Sequence, residues 1–221
     1  MTRSLFFLSL GCAATLCAQS REIWADAGQT LISNNSLGTD QLTGGSKNDL
    51  QLNNGFRFGV RFDVSHGDHI GHEVQYVNSR AQIQYNYEPG TPKLGSAINR
   101  LGYDFLGYLT RKGSKVRPFG ALGGQWSNFA PPHQTYLGCE SLACTVGSAA
   151  PGAPIVTPPA AKLGYDKFGF NYGGGAKVMA GRGFRLRFDV RQYINGKPFN
   201  LPGASGLLRQ TEVSAGIGYA F

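Results

Sequence analysis

Phe56-Arg57-Phe58-Gly59-Val60-Arg61-Phe62-Asp63-Val64 is the stretch that decides how this chain folds. Every even position is apolar, while the odd positions carry Arg57, Gly59, Arg61 and Asp63. A period of two sends successive side chains to opposite faces of a strand. Wound as a helix, the same residues would put Arg and Phe on every side, which no amphipathic helix tolerates. The alternation returns in Phe184-Arg185-Leu186-Arg187-Phe188-Asp189-Val190-Arg191.

Six looser segments extend the pattern: Glu22 to Ser33, His72 to Tyr87, Ala97 to Thr110, Val116 to Phe129, Lys167 to Ala180 and Gln210 to Phe221. Glu22 to Ser33 has no settled phase, and Val116 to Phe129 is weakened as a strand by its glycines and Pro118. In His72 to Tyr87, Val74 and Tyr76 share one parity, whereas Ala81, Ile83, Tyr85 and Tyr87 take the other. That change of phase predicts a β-bulge around Val77 to Arg80.

The connections alternate in length. Ser65 to Gly71, Arg111 to Lys115 and Gly181 to Gly183 are short; Asn34 to Asp49, Pro89 to Ser96, Ala130 to Asp166 and Asn195 to Arg209 are longer. Short turns at one end and long loops at the other characterise an up-and-down barrel across an outer membrane. The expected fold is therefore all-β, an antiparallel up-and-down transmembrane β-barrel of eight strands. Ten strands result if the outer loop 130–166 hides a hairpin, for which Tyr136 to Leu142 and Pro154 to Thr157 are candidates.

Alternation alone does not say which face meets solvent. The polar parity mixes signs, with Arg57, Arg61, Asp63, Lys177, Arg185, Arg187, Asp189, Arg191 and Glu212. Such a set fits a narrow lumen as a paired, hydrogen-bonded network, because an eight-stranded interior has room only for side chains. Gly59, Gly169, Gly173, Gly175, Gly216 and Gly218 share that parity and make space for long side chains. The apolar residues are then expected to face lipid, with aromatic residues toward the strand ends.

Residues 1–20 read as a cleaved targeting segment. Arg3 is followed by the apolar run Leu5 to Ala18, and Ala18 and Ser20 supply small residues at −3 and −1. Residues 21–221 remain as one barrel domain, and no later stretch approaches the ~18 apolar residues of a membrane helix. Charged residues are 15% of the chain, aromatics 12%, and Gly numbers 32, which suits short strands and turns better than a helical bundle. Removal of Arg3 takes the net charge from +8 to +7. An exported protein rarely meets nucleic acid, so outer-membrane lipid and lipopolysaccharide are the expected partners of a monomeric barrel.

Val213-Ser214-Ala215-Gly216-Ile217-Gly218-Tyr219-Ala220-Phe221 alternates to the last residue. It resembles the C-terminal strand of outer-membrane barrels, which implies that Tyr219 and Phe221 are read by the barrel-assembly machinery. Asn54 to Phe62, Val116-Arg117-Pro118-Phe119, Phe168 to Gly175 and Phe188 to Tyr193 are similar to the OmpA/OmpX-like eight-stranded class, in particular to the outer-membrane barrel family of Acidobacteria-type genomes. The resemblance covers most of residues 21–221. It implies a barrel in the bacterial outer membrane without an activity, and no peptidoglycan-binding domain is expected behind it.

Few residues suggest chemistry, and no cofactor is expected. His66, His69 and His72, with Asp68 and Glu73, form the one dense metal-capable cluster; imidazoles there suit zinc or nickel, but a polar turn is the plainer reading. Cys139 and Cys144 are expected to form a local disulfide in an oxidising compartment. The primary expectation is a structural or surface-interaction role with a charged, filled lumen. A narrow channel and a lipid A-modifying enzyme, the latter testable at His133, remain as alternatives of a different class.

Overall fold

The computed structural model describes residues 20–40, 48–85, 94–130, 165–200 and 203–221. Among the described residues, nine strands follow one another: β1 (Ser20–Ser33), β2 (Ser36–Asp40), β3 (Asn48–His66), β4 (Ile70–Tyr85), β5 (Leu94–Tyr108), β6 (Val116–Ala130), β7 (Asp166–Met179), β8 (Phe184–Gly196) and β9 (Leu207–Ala220). A 3-10 turn, Pro198–Asn200, precedes β9. Each long strand pairs antiparallel with its neighbours, and β1 pairs with both β3 and β9. That double pairing closes an eight-stranded barrel with no free edge.

β2 is the extra strand. It lies in the segment read from sequence as the loop Asn34 to Asp49, and pairs with the first residues of β3 beyond the barrel wall. Asn34, at φ 55°, turns the chain between β1 and β2. The suggested hairpin in 130–166 falls outside the described residues. Short turns join β3 to β4, β5 to β6 and β7 to β8 at one end, and the long connections sit at the other. Gly67 (φ 59°) and Gly183 (φ 79°) hold the left-handed conformations that two of the short turns require.

The apolar faces look outward. Phe58 is 47% exposed while Arg57 beside it is 0% exposed, and the alternation continues through Val60, Arg61, Phe62 and Asp63. In water this would be an inside-out protein; in a bilayer it removes the apolar face from water and keeps the ionised groups together. In β1 the phase resolves with Glu22, Trp24, Asp26 and Thr30 inward and Ile23 and Leu31 outward. Pro118 fits within β6 because its carbonyl accepts the Leu109 N–H at 3.0 Å where the β5–β6 ladder ends. Its missing N–H points to the same ladder end and interrupts no internal rung.

The bulge expected at Val77 to Arg80 is absent from β4, which alternates without a break from Gly71 to Ile83. The extra residue lies one strand away, in β3 between Asn53 and Phe56, where Asn54 and Gly55 oppose Ala81. It switches the inward parity of β3 from Leu50 and Leu52 to Arg57 and Arg61. In β4 the side chains keep their facing and the surroundings change instead. Near the short turns the interior is charged; near the long loops it is apolar, so Val77, Ala81 and Ile83 turn inward and Arg80 and Gln82 turn outward.

Gly55 makes the bulge possible, because a Cβ there would stand 1.5 Å from the Arg80 carbonyl oxygen. Gly55→Val is expected to destabilise the barrel by about 1–3 kcal/mol. The loss should appear as a lower urea midpoint for the heat-modifiable folded band.

Candidate functional site

The interior is organised in tiers along the barrel axis. Nearest the short turns, the Lys177 ammonium donates to Glu22 Oε2 at 2.5 Å, Asp63 Oδ2 at 2.6 Å and Tyr108 Oη at 2.8 Å. Arg185, at the mouth and partly exposed, donates to the other oxygen of Glu22. The Arg117 guanidinium lies 3.5 Å from the centre of the Tyr108 ring. Leu106, Tyr108, Phe119 and Ala121 form a small apolar cluster at this level.

Glu73 is the hub of the middle tier. It binds Arg187 Nη1 at 2.5 Å, Arg191 Nη2 at 2.7 Å and Arg61 Nη1 at 3.1 Å. Asp189 lies against the same guanidinium groups, 2.8 Å from Arg187 Nη2 and 2.9 Å from Arg191 Nε. Arg191 also pairs with Asp104, which accepts from Asn171 at 2.8 Å. Asp26 holds Arg61 at 2.6 Å and bonds Arg57 as well.

Above this, Glu212 and Gln210 each accept from Arg100 at 2.6 Å, and Arg57 Nε stands 3.4 Å from Glu212 Oε2. The Arg100 guanidinium covers the Tyr193 ring at 3.9 Å, and Tyr193 donates to Gln75 at 3.0 Å. The long-loop end then closes with an apolar cluster that includes Leu37, Leu52, Ile83, Ile98, Phe129, Phe199 and Leu208. Phe199 comes from the 3-10 turn and Leu37 from β2, so the two elements outside the barrel wall both help fill its mouth.

Among the described residues, seven buried carboxylates (Glu22, Asp26, Asp63, Glu73, Asp104, Asp189, Glu212) face seven buried cations (Arg57, Arg61, Arg100, Arg117, Lys177, Arg187, Arg191). The equality matters, since an uncompensated charge at this depth is costly. The sequence reading singled out Arg57, Arg61, Asp63, Lys177, Arg185, Arg187, Asp189, Arg191 and Glu212; in the structure all are buried except Arg185, which is partly exposed at the mouth. It missed Glu22, Asp26, Glu73, Asp104, Arg100 and Arg117. Their signal was the same alternation in weaker strands: Glu73 and Gln75 interleave with Val74 and Tyr76, and Asp104 with Tyr103 and Phe105.

The three histidines of the first turn do not converge. His69 Nδ1 lies 2.9 Å from the Tyr108 carbonyl oxygen, and His72 Nδ1 lies 2.8 Å from the Tyr103 hydroxyl. His66 meets His72 edge to face at 5.4 Å between ring centres. Among the described residues, no group of three His, Cys, Asp or Glu is arranged to hold a metal ion. Tyr219 faces outward, and Phe221 exchanges backbone hydrogen bonds with Arg21 at 3.0 and 3.3 Å. Cys139, Cys144 and His133 lie outside the described residues.

On the outer surface, Asn78, Asn99 and Asn128 align in register across β4, β5 and β6, with Asp166 of β7 completing the row. Asn78 donates to Asn99 at 2.7 Å and Asn128 to Asp166 at 2.8 Å. Below the row the outward residues are Tyr76, Leu101, Trp126 and Phe168; above it come polar positions such as Arg80 and Gln82. An apolar belt bounded by a polar and aromatic rim is the outer face of a membrane barrel.

The family model for the outer membrane protein beta-barrel domain matches residues 4–221. The chain belongs to that family. As an outer-membrane β-barrel it lies in the bacterial outer membrane, with the short turns at the periplasmic end by the general rule for such barrels. Solved structures show the same fold at low identity. Neisserial surface protein A is 16% identical over 91% of this chain and 97% of its own, with a TM-score of 0.56. OprG of Pseudomonas aeruginosa is 15% identical over 90% and 95%, also with a TM-score of 0.56. No curated protein is significantly similar to the chain.

Proposed function

We propose that this outer-membrane β-barrel is a structural and surface-interaction protein of the envelope, with a lumen closed to ions. The observation that carries the reading is the cross-linked interior. Glu73 of β4 binds arginines of β3 and β8, Lys177 of β7 binds carboxylates of β1 and β3, and Arg100 of β5 binds Glu212 of β9. An ion entering from either mouth would have to part these pairs, and the apolar cluster at the long-loop end offers it no ligand.

The charged network on this reading rigidifies the cylinder, and the lipid-facing residues anchor it. The remaining expectations belong to the same proposal. Residues 1–20 direct export and are removed. Cys139 and Cys144 pair, and Tyr219 and Phe221 are read during assembly. Lipopolysaccharide meets the outer end, where Arg80 and Arg209 are exposed.

The test is conductance of the purified barrel in planar bilayers. A flat trace is expected. Discrete steps, altered by Arg100→Ala or Glu212→Ala, would replace the structural reading with that of a narrow channel. Modified lipid A on overexpression, lost in His133→Ala, would replace it with an enzyme.

A further inference from the structure

We propose that the short-turn mouth of the lumen binds a small oxyanion of the phosphate class, drawn from the periplasm and held between Arg117 and Arg185. It rests on the barrel reading only for the compartment that this mouth faces. On the inward side of β6, β7 and β8, Arg117 stands opposite Lys177 in register, and Lys177 opposite Arg187. Like charges directly opposite on neighbouring strands repel. Two of these three cations are compensated from across the lumen. Lys177 has Glu22 and Asp63, and Arg187 has Asp63 and Glu73. Arg117 is 3% exposed and, among the described residues, forms no ion pair.

The Arg117 guanidinium is held in place but not neutralised. It donates to the Asp68 carbonyl oxygen at 2.8 Å and to Ser65 Oγ at 3.4 Å, while resting on the Tyr108 ring. Its Nε has no hydrogen-bond partner among the described residues. Glu22 lies within electrostatic reach but is already engaged by Lys177 and Arg185. The Asp68 carboxylate accepts the Lys112 backbone N–H at 3.2 Å. Arg185, also within reach of Arg117, brings a further cation to the mouth. A buried cation without a counter-charge is costly, and a bound anion removes that cost. The Arg185 side chain is 14% exposed, so solvent from the short-turn end reaches this tier. Guanidinium forks match pairs of oxygens, and a tetrahedral phosphate can present oxygens to two forks at once. Both side chains face the lumen, with the barrel wall between them and the bilayer, so the source is a free anion rather than a lipid headgroup.

The full-length barrel, folded in dodecyl maltoside in phosphate-free buffer, is titrated calorimetrically with inorganic phosphate at constant ionic strength in sodium chloride. Saturable binding to a single site is expected. Arg117→Gln and Arg185→Gln should each weaken it about tenfold, the loss of one charge-assisted hydrogen bond. Arg209→Gln, at the opposite end, should leave it unchanged, and phosphatidylglycerol added to the micelles should not displace it. Without phosphate, Arg187→Gln should lower the urea midpoint of the heat-modifiable band strongly. Arg117→Gln should lower it far less, because no carboxylate loses a partner. Absence of saturable binding, binding indifferent to both mouth variants or equally weakened by Arg209→Gln, displacement by the lipid, or equal midpoint losses would overturn the proposal. Conductance steps in planar bilayers would instead overturn the closed-lumen reading and leave the phosphate site standing.

Discussion

Glu73→Ala is expected to cost the folded barrel about 3–5 kcal/mol, the penalty for removing one partner from a buried ionic network. Glu73 receives Arg61, Arg187 and Arg191, and its side chain has no exposure to solvent. Without it, the three guanidinium groups would keep only Asp26, Asp189, Asp104 and Asp63, which they already contact, and of which Asp26 and Asp63 are shared with Arg57 and Lys177. The interior would carry one net positive charge in place of the balance between its described buried groups. Urea unfolding of the refolded protein in detergent, followed by the heat-modifiable gel band, measures the loss. Val74→Ala, one residue away on the lipid side, should shift the midpoint far less. A cost below about 1 kcal/mol for Glu73→Ala would mean that the interior hydrates freely, and the closed-lumen reading would fall with it.

The second large effect tests the outer surface. Phe188 faces outward in the middle of β8, with Leu186 and Val190 as same-face neighbours. Phe188→Arg is expected to destabilise the barrel by about 2–4 kcal/mol in a bilayer, because the charge sits near the hydrocarbon midplane. Gln82 also faces outward, but beyond the row of Asn78, Asn99 and Asn128 that bounds the belt. Gln82→Arg should therefore cost about 0–1 kcal/mol. Reconstitution in vesicles with unfolding by guanidinium distinguishes the two. Similar costs at both positions would show that the belt does not end at the asparagine row.

Where two strands announced themselves, they did so through strict alternation. Phe56 to Val64 and Phe184 to Arg191 revealed period, facing and mixed interior charge without any tertiary knowledge, because a half-lipid, half-lumen strand must alternate along its transmembrane length. Asp26, Glu73, Asp104 and Arg100 obeyed the same rule. They were missed because Gly, Ala and Gln at neighbouring positions blurred the contrast. Pro118 looked like a strand breaker and was not one, since the position of a ladder's end cannot be read from a single strand.

Ala81 and Ile83 misled for a different reason. Parity reports which side a residue faces only while the two environments stay the same. Above the asparagine row the outside is polar and the inside apolar, so the hydrophobic phase inverts with no change in the backbone of β4. The bulge that does exist, at Asn54 and Gly55, left no clear mark because the polar Asn53-Asn54-Gly55 reads as a strand start.

The sequence by itself determined the strand period, the apolar belt and the sign mixture of the interior, because each is a property of neighbours along one strand. Which carboxylate meets which guanidinium, that β2 and Phe199 fill the outer mouth, and that Gly218 leaves room for the Trp24 indole inside the barrel were decided by closure of the cylinder. Those contacts join strands far apart in the chain, and their partners are set by register and shear, which no single segment encodes.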